Sequence, residues 1–346
     1  MTTQGNHMNK TLIASILAGF GVLATQASAA DAELNLYSAR HYQTDEALYS
    51  SFTKQTGIKI NRIEAKEDEL LERIRNEGAN SPADVFITVD ASRLAKADEL
   101  GIFAPVKSKV LEERIPAHLR TENWYSYSTR ARVIIYNKDS VKADDVQTYE
   151  SLAAPALKGK VCSRSGSHPY NISLGAALVK HNGAEATETW ARNVVANFAR
   201  APKGGDTDQI KAVAAGECGV TIANTYYLAR LMNSDKAEDK AVVAKIGTVW
   251  PNQKTWGAHI NVSGAGMLKN APNKGAAVKF LEYLASDEAQ AYFANGNNEW
   301  PVVASVKVNN PALDTLGKFK ADSLPVGELA NTAAEAQKIY DRAGFR

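Results

Sequence analysis

Four tyrosines lie at positions where an α/β chain places ligand-binding groups. Tyr226 and Tyr227 are adjacent and follow the apolar stretch 219–223, at the predicted start of a helix. Neighbouring helical residues diverge by about 100°, so a hydrophobic core accommodates one of these rings more readily than both. Tyr42 follows the first predicted strand, and Tyr170 lies in a turn before a helix. All four therefore fall at strand ends or helix starts, the edge where open α/β sheets bind ligands.

Phenol groups gathered in this way are suited to a hard, highly charged cation. A phenol has an unperturbed pKa of about 10 and ionises readily only beside a strong positive charge. Hard cations prefer oxygen ligands and imidazole suits iron, so several tyrosinates with His41 next to Tyr42 favour Fe(III) over zinc or copper(I). Ordinary packing is the alternative for any single ring. The shared position of the four rings is what favours a site.

One arginine lies on the same predicted helix as the tyrosine pair. Arg230 follows Tyr226 by four residues and Tyr227 by three, which places it on their side of the helix. We expect it to hydrogen-bond a phenolate or a bound anion. A solvated side chain is the alternative.

Three further arginines are candidates for contact with an anion. Arg130 and Arg132 immediately precede the predicted strand 133–137, and Arg40 precedes the His-Tyr pair. A hinge or surface role is the alternative for all three. His168 is expected to be a turn residue rather than a ligand.

Composition and missing motifs exclude several classes of protein. The 346 residues include 40 Lys and Arg against 38 Asp and Glu, without the concentrated basic surplus of nucleic-acid-binding proteins. Mean hydropathy of −0.30 argues against a polytopic membrane protein. The sequence has no P-loop, no G-x-G-x-x-G after a strand, no H-E-x-x-H and no G-x-S-x-G. An enzyme is therefore not indicated.

The segment 1–29 predicts a secretory signal peptide with a short N-terminal extension. A lysine in 8–10 precedes the apolar run 12–23, and the small residues 27–29 fit a cleavage site. The apolar run is too short to span about 30 Å of hydrocarbon as a helix. A buried N-terminal helix is the alternative. We expect a mature protein that begins near Ala30 and works in the periplasm.

The two cysteines agree with export. Cys162 and Cys218 are the only cysteines in the chain, and both lie in the expected mature part. An oxidising compartment favours a disulfide between them. Two separate buried thiols are the alternative.

Strands and helices alternate along the chain. A strand-helix-strand-helix-strand order is predicted over 34–38, 45–55, 58–63, 67–76 and 84–88. This order implies a parallel sheet covered by helices. A second set follows, with strands at 160–162 and 219–223 and helices at 171–181 and 190–198. Because no linker separates the two sets, we expect two lobes between which the chain crosses more than once.

Three segments carry a resemblance to a known family. Residues 34–42 (LNLYSARHY), 167–171 (SHPYN) and 224–230 (NTYYLAR) resemble the periplasmic ferric-ion-binding proteins of ABC iron-uptake systems. The resemblance covers essentially the whole expected mature chain. It implies an α/β, two-lobed type II periplasmic-binding-protein fold, each lobe a mostly parallel sheet flanked by helices, joined by crossover hinge strands. Fe(III) would lie in the cleft between the lobes.

The resemblance also implies a ligand set. Tyr42 from the first lobe and Tyr170, Tyr226 and Tyr227 from the second would bind the metal as phenolates. His41 matches the family's His-Tyr pair, in which the histidine either binds the metal or stands aside. Some relatives use a carboxylate and a synergistic anion instead of part of this set. Carbonate or citrate could complete the shell here but is not required.

The implied organisation and role are equally specific. The first lobe would comprise 30–130 and 260–304, and the second 131–259 and 305–346. A monomer would capture ferric iron or a ferric chelate and deliver it to an ABC permease in the inner membrane, without contacting nucleic acid. The alternatives are a protein of the same fold for another small solute, such as an oxyanion, a polyamine or an organic anion, and a secreted enzyme.

Overall fold

The structure is a computed structural model that describes residues 1–3, 33–40 and 42–346. The predicted signal segment, apart from its first three residues, lies outside the described residues, and so does His41. All elements described below belong to one compact unit, Asp31–Arg346.

The first five elements follow the predicted alternation. They are β1 (Glu33–Ser38), α1 (Asp45–Thr56), β2 (Lys59–Glu64), α2 (Glu67–Glu77) and β3 (Val85–Thr88). Strand β1 lies in the middle and pairs in parallel with both β2 and β3. Gly57 ends α1 in the left-handed conformation, with φ of 74°, which glycine adopts without a steric penalty.

The remaining strands complete a sheet that has nine strands among the described residues, and helices and short 3-10 turns connect them. In chain order they are α3 (Ala91–Glu99), α4 (Lys109–Arg114), β4 (Tyr125–Asn137), β5 (Val161–Cys162), α5 (Pro169–Asn182), α6 (Ala184–Ala196), α7 (Asp206–Ala214), β6 (Val220–Asn224), α8 (Thr225–Met232), α9 (Ala237–Lys245), β7 (Ile246–Val249), β8 (Ile260–Met267), α10 (Lys274–Leu284), α11 (Asp287–Asn297), β9 (Trp300–Pro301), α12 (Pro311–Leu316) and α13 (Leu329–Ala343).

The long strand β4 connects the two parts of the sheet. The order is β2-β1-β3-β8-β4-β6-β5, and β7 and β9 also pair with β4. Its first half pairs with β8 and its second half with β6 and β7. The sequence predicts this strand only from residue 133, whereas it begins at Tyr125. The early part contains buried Ser126, Ser128 and Arg130, and polar residues on a covered strand hide its pattern.

The expectation that each lobe has a mostly parallel sheet is wrong for much of the molecule. Among the strands that the structure describes, parallel pairing is confined to β1 with β2, β1 with β3, and β5 with β6. Every pair that involves β4 or β8 is antiparallel. The cause is that β4 and β8 run in opposite directions through the middle of the sheet, so each meets neighbours of the opposite sense.

Buried side chains pack on both sides of this central strand pair. One cluster includes Leu36, Phe86 and Phe280, and two others surround Ile135 and Ile134 respectively. Successive residues of a strand face opposite sides, so these two isoleucines of β4 belong to different clusters. The arrangement is compatible with two lobes, and the lobe boundaries stay a prediction.

Cys162 and Cys218 form a disulfide, as predicted. Their Cα atoms are 5.8 Å apart, and the bridge joins β5 to the turn before β6 across a sequence separation of 56. In the described part of the chain, no helix is both long enough and apolar enough to cross a bilayer.

Candidate metal centre

The structure brings Tyr42, Tyr170, Tyr226 and Tyr227 together. The hydroxyl of Tyr226 donates a hydrogen bond of 3.0 Å to the hydroxyl of Tyr170. The rings of Tyr226 and Tyr227 are 4.3 Å apart between centroids. The ring of Tyr42 meets that of Tyr226 edge-on, with centroids 6.3 Å apart. Three separate segments of the chain thus supply four phenols to one cluster.

The tyrosine pair is held by the junction of β6 and α8. Tyr226 and Tyr227 lie in the first turn of α8, which follows β6 directly. Thr225 is buried, and its hydroxyl accepts a hydrogen bond of 3.3 Å from the backbone N–H of Ala131 on β4. This bond fixes the start of the helix, and with it both phenols, against the central strand.

Tyr170 is held by the N-terminal turn of α5. Pro169 occupies the start of this helix, where its missing N–H costs nothing. The Nδ1 atom of His168 accepts a hydrogen bond of 3.2 Å from the backbone N–H of Tyr170. Burial, with help from nearby arginines, lowers the pKa of His168 to about 3, which keeps the imidazole neutral and able to accept this bond. His168 is thus a cap of α5, in keeping with its prediction as a turn residue.

Burial keeps the phenols protonated in the absence of a cation. It is the largest cause that raises the pKa of Tyr42, Tyr170 and Tyr226 above the ordinary value. The proximity of the phenols to one another raises these pKa values further, because ionisation of one opposes ionisation of the next. A cation that enters the cluster must therefore displace protons.

Arg130 is a buried predicted anion contact whose guanidinium makes no hydrogen bond among the described residues. The residue is 1% exposed, and none of its three guanidinium nitrogens has a hydrogen-bond partner there. Its Cζ atom is 5.8 Å from the centre of the Tyr170 ring, and its charge lowers the pKa of Tyr42, Tyr170 and Tyr226. A buried cation is costly without a negative partner. This guanidinium is placed to meet negative charge on the phenols or on an anion beside them.

Arg132 is engaged elsewhere. Its guanidinium donates to Asp206 at 3.0 Å, to Asn171 at 2.8 Å and to Asn224 at 3.2 Å. These contacts join β4 to α5, α7 and β6, so Arg132 holds the framework of the centre. They leave little support for its prediction as an anion contact.

Arg40 also has carboxylate partners. Its Nε atom donates to Asp45 at 2.7 Å and its Nη1 atom to Glu299 at 3.4 Å. Its Cζ atom is 4.8 Å from the centre of the Tyr42 ring. Arg40 therefore covers the face of that ring, and its charge is already balanced, which argues against a bound anion there.

Arg230 lies on the side of α8 that its spacing predicts. The residue is exposed, and its Cζ atom is 5.8 Å from the centre of the Tyr227 ring. The guanidinium of Arg230 thus faces the Tyr227 ring, whereas the sequence predicts a hydrogen bond to a phenolate or an anion.

Glu299 was not found from the sequence. It is 1% exposed, accepts from Ser128 at 2.8 Å as well as from Arg40, and its charge raises the pKa of Tyr42. A single glutamate in the polar stretch 295–299 has no spacing or motif that could have indicated this role.

A cavity of about 620 Å³ adjoins the cluster at Tyr170. Its lining includes Ser38, Glu67, Arg93 and His168. Within the described residues, no group of three or more His, Cys, Asp and Glu side chains is arranged to hold a metal ion. The phenols of the cluster supply oxygen atoms of the kind that a hard cation prefers.

Comparison with known proteins places the chain in a family. The family model for bacterial extracellular solute-binding proteins matches residues 47–321. The chain belongs to this family. Iron uptake protein A1 of Synechocystis is 51% identical over 316 residues, which cover 91% of this chain and 88% of that protein.

Solved structures resemble this one along almost the whole chain. A Trichodesmium protein in complex with iron and citrate has a TM-score of 0.86 and 54% identity, over 91% of this chain and 100% of that chain. A ferric binding protein from Campylobacter jejuni has a TM-score of 0.86 and 43% identity, over 90% of this chain and 100% of that chain. The fold of this solute-binding protein is thus the type II periplasmic-binding-protein fold.

Proposed function

We propose that this solute-binding protein captures Fe(III) through Tyr42, Tyr170, Tyr226 and Tyr227. The observation that carries the proposal is the contact among four largely buried phenols contributed by three segments. Phenolate oxygens suit a hard trivalent cation, which is strong enough to displace their protons. The similar proteins named for iron uptake or ferric binding support the same cargo. His41, next to Tyr42 in the sequence, is a fifth candidate ligand.

Charge balance gives Arg130 a role in capture. Four phenolates exceed the charge of Fe(III) by one, and a buried complex with that excess charge would be unfavourable. The guanidinium of Arg130, which has no hydrogen-bond partner among the described residues, supplies positive charge against the phenolates. The centre then needs no exogenous anion. Carbonate or citrate would enter only in place of one of these ligands or beside Arg130.

Capture would proceed by closure of two lobes. The first lobe, 30–130 and 260–304, contributes Tyr42, and the second, 131–259 and 305–346, contributes the other three tyrosines. Iron held by one half-site draws the other across by a hinge motion, and closure excludes water from the complex. The protein binds its cargo and transforms nothing.

The proposed setting is the periplasm. The segment 1–29 would direct export and be removed, and the loaded monomer would dock on an ABC permease in the inner membrane. Membership of an extracellular solute-binding family supports this setting.

Native mass spectrometry of the mature chain with ferric citrate tests the proposal. The expected result is one iron per chain, with a mass lower than that of chain plus iron by the displaced protons. A further citrate or carbonate mass would identify an anion in the complex. Retention of citrate without iron would overturn the proposal in favour of an organic-anion-binding protein.

A further inference from the structure

Three consecutive polar residues lie between the two halves of the proposed iron centre. Asn297 is the last residue of α11, and Asn298 and Glu299 connect this helix to β9. The three residues are 7%, 8% and 1% exposed. Buried polar side chains are retained only where they find partners. We call residues 297–299 the linking segment.

Two side chains of the linking segment bind the region around Tyr42. Asn297 Nδ2 donates to Asp45 Oδ1 at 2.8 Å. The carboxylate of Glu299 accepts from Arg40 at 3.4 Å, and Arg40 in turn binds Asp45 and covers the Tyr42 ring. The residues that flank this tyrosine on both sides are thus tied to the linking segment.

The middle side chain binds the opposite half. Asn298 Oδ1 accepts hydrogen bonds from Asn233 Nδ2 at 2.9 Å and from Asn310 Nδ2 at 2.7 Å. Asn233 is the C-terminal cap of α8, whose first turn contains Tyr226 and Tyr227. Asn310 caps the start of α12 with its own side chain.

The backbone of Asn298 makes this division possible. Its φ of 57° is left-handed, a conformation that ends α11 and that asparagine tolerates better than most residues. In the described chain one other non-glycine residue has a positive φ, Asn252 with 58°. Because Asn298 is left-handed, its side chain and those of its two neighbours can hydrogen-bond to opposite halves of the proposed iron centre.

We infer that the linking segment fixes the separation of Tyr42 from Tyr226 and Tyr227 and thereby slows the release of iron. The inference rests on the proposed function. Movement of α8 away from the Tyr42 loop must break buried hydrogen bonds on one side or the other of the linking segment. Such pre-organisation holds ligands at the distance that binding requires.

Asn298→Gly is the sharpest test, because glycine keeps the left-handed helix end and removes only the amide. The variant keeps all four phenols, so we expect an unchanged phenolate-to-iron absorption band. We expect release of iron to EDTA about tenfold faster than in the unmodified protein. Asn298→Asp keeps the acceptor for both asparagines and should restore slow release.

Asn252→Gly is the matched control. It makes the same chemical change at the other left-handed asparagine, whose Oδ1 accepts a hydrogen bond of 2.9 Å from the backbone N–H of Tyr149. Loss of this hydrogen bond should lower the thermal unfolding temperature, while the rate of iron release should not change. Equal acceleration in both glycine variants would mean general loosening and would overturn the inference.

A double-mutant cycle keeps the inference testable if Asn298→Gly folds poorly. Asn233→Ala removes the same hydrogen bond from the α8 side, together with the bond of 3.0 Å that Asn233 Nδ2 donates to Asn310 Oδ1. The two substitutions together should accelerate release less than the product of their separate effects. Unchanged release in Asn233→Ala would overturn the inference. The absence of an absorption band in the unmodified protein would instead remove the proposed function itself.

Discussion

Tyr42, Tyr170 and Tyr226 are weak acids whose ionisation depends on their neighbours. Burial and mutual proximity raise the pKa of Tyr42, Tyr170 and Tyr226, while Arg130 acts in the opposite sense. Together, these two influences keep the phenols protonated while no cation is bound and allow them to ionise when a cation binds. Substitution of the tyrosine pair and substitution of Arg130 separate the two influences.

Replacing both residues of the tyrosine pair should nearly abolish iron binding. Tyr226→Phe with Tyr227→Phe keeps the packed rings and removes two of four phenolates. We expect affinity for ferric iron, measured by competition with a chelator, to fall at least about a hundredfold. Tyr136→Phe is the control, because Tyr136 lies on the far half of β4 beside Gly247. Equal affinity in the double variant and the control would show that the pair is not part of the site.

Removing the charge of Arg130 should weaken iron binding without disturbing the phenols. Arg130→Gln leaves the excess negative charge of the complex uncompensated, and we expect affinity about tenfold lower at neutral pH. Arg130→Lys keeps the positive charge and should recover most of the loss. A strict requirement for added citrate in the unmodified protein would contradict the role given to Arg130 in charge balance.

At the scale of elements, the sequence predicts what has local periodicity and misses what depends on distant partners. Helices α1 and α2, strands β1 to β3 and the start of α8 lie within a few residues of their predicted positions, because apolar spacing and glycine mark them locally. The first half of β4 was missed because its buried serines and Arg130 find their surroundings only in the assembled sheet.

The same distinction applies to the candidate site. Tyr226, Tyr227, Tyr170 and Tyr42 could be found because each stands at the end of a strand or the start of a helix. Glu299 could not, because its partners Arg40 and Ser128 lie more than a hundred residues earlier in the chain. Long-range polar contacts leave no periodic trace in a single sequence.

The disulfide between β5 and the turn before β6 should stabilise the fold rather than the iron complex. Loop-closure entropy suggests a contribution of about 4 kcal/mol to the free energy of unfolding. We expect Cys162→Ser with Cys218→Ser to lower the denaturation midpoint while the folded protein keeps its iron affinity. Loss of iron binding in the still-folded variant would show that the bridge positions α8.

At the scale of the whole molecule, β4 and β8 run through the middle of the sheet. The loop that contains Tyr42 and the starts of α5 and α8 meet at the tyrosine cluster. The chain passes between the two parts of the sheet along these strands, as hinge strands of a two-lobed protein must. In the proposed capture, closure of the two lobes would make proton displacement from the phenols part of iron binding, and iron affinity would then depend on pH.

Iron affinity should fall as pH falls. The raised pKa values of Tyr170 and Tyr226 mean that these phenols hold their protons at neutral pH in the empty site, so binding releases protons and acid opposes binding. For each proton that is displaced, the iron affinity changes about tenfold per pH unit. Competition titrations between about pH 8 and pH 6 should therefore show a steep dependence that becomes shallower in the variant lacking the Tyr226 and Tyr227 hydroxyls. Equal slopes in the two proteins would contradict proton displacement from this pair.

The most direct test of the central claim is a visible absorption titration of the mature protein, free of metal, with ferric citrate. Tyrosinate ligation predicts a strong phenolate-to-iron charge-transfer band that grows linearly and saturates at one iron per chain. A protein that is folded by circular dichroism yet develops no such band would contradict ferric capture by these tyrosines.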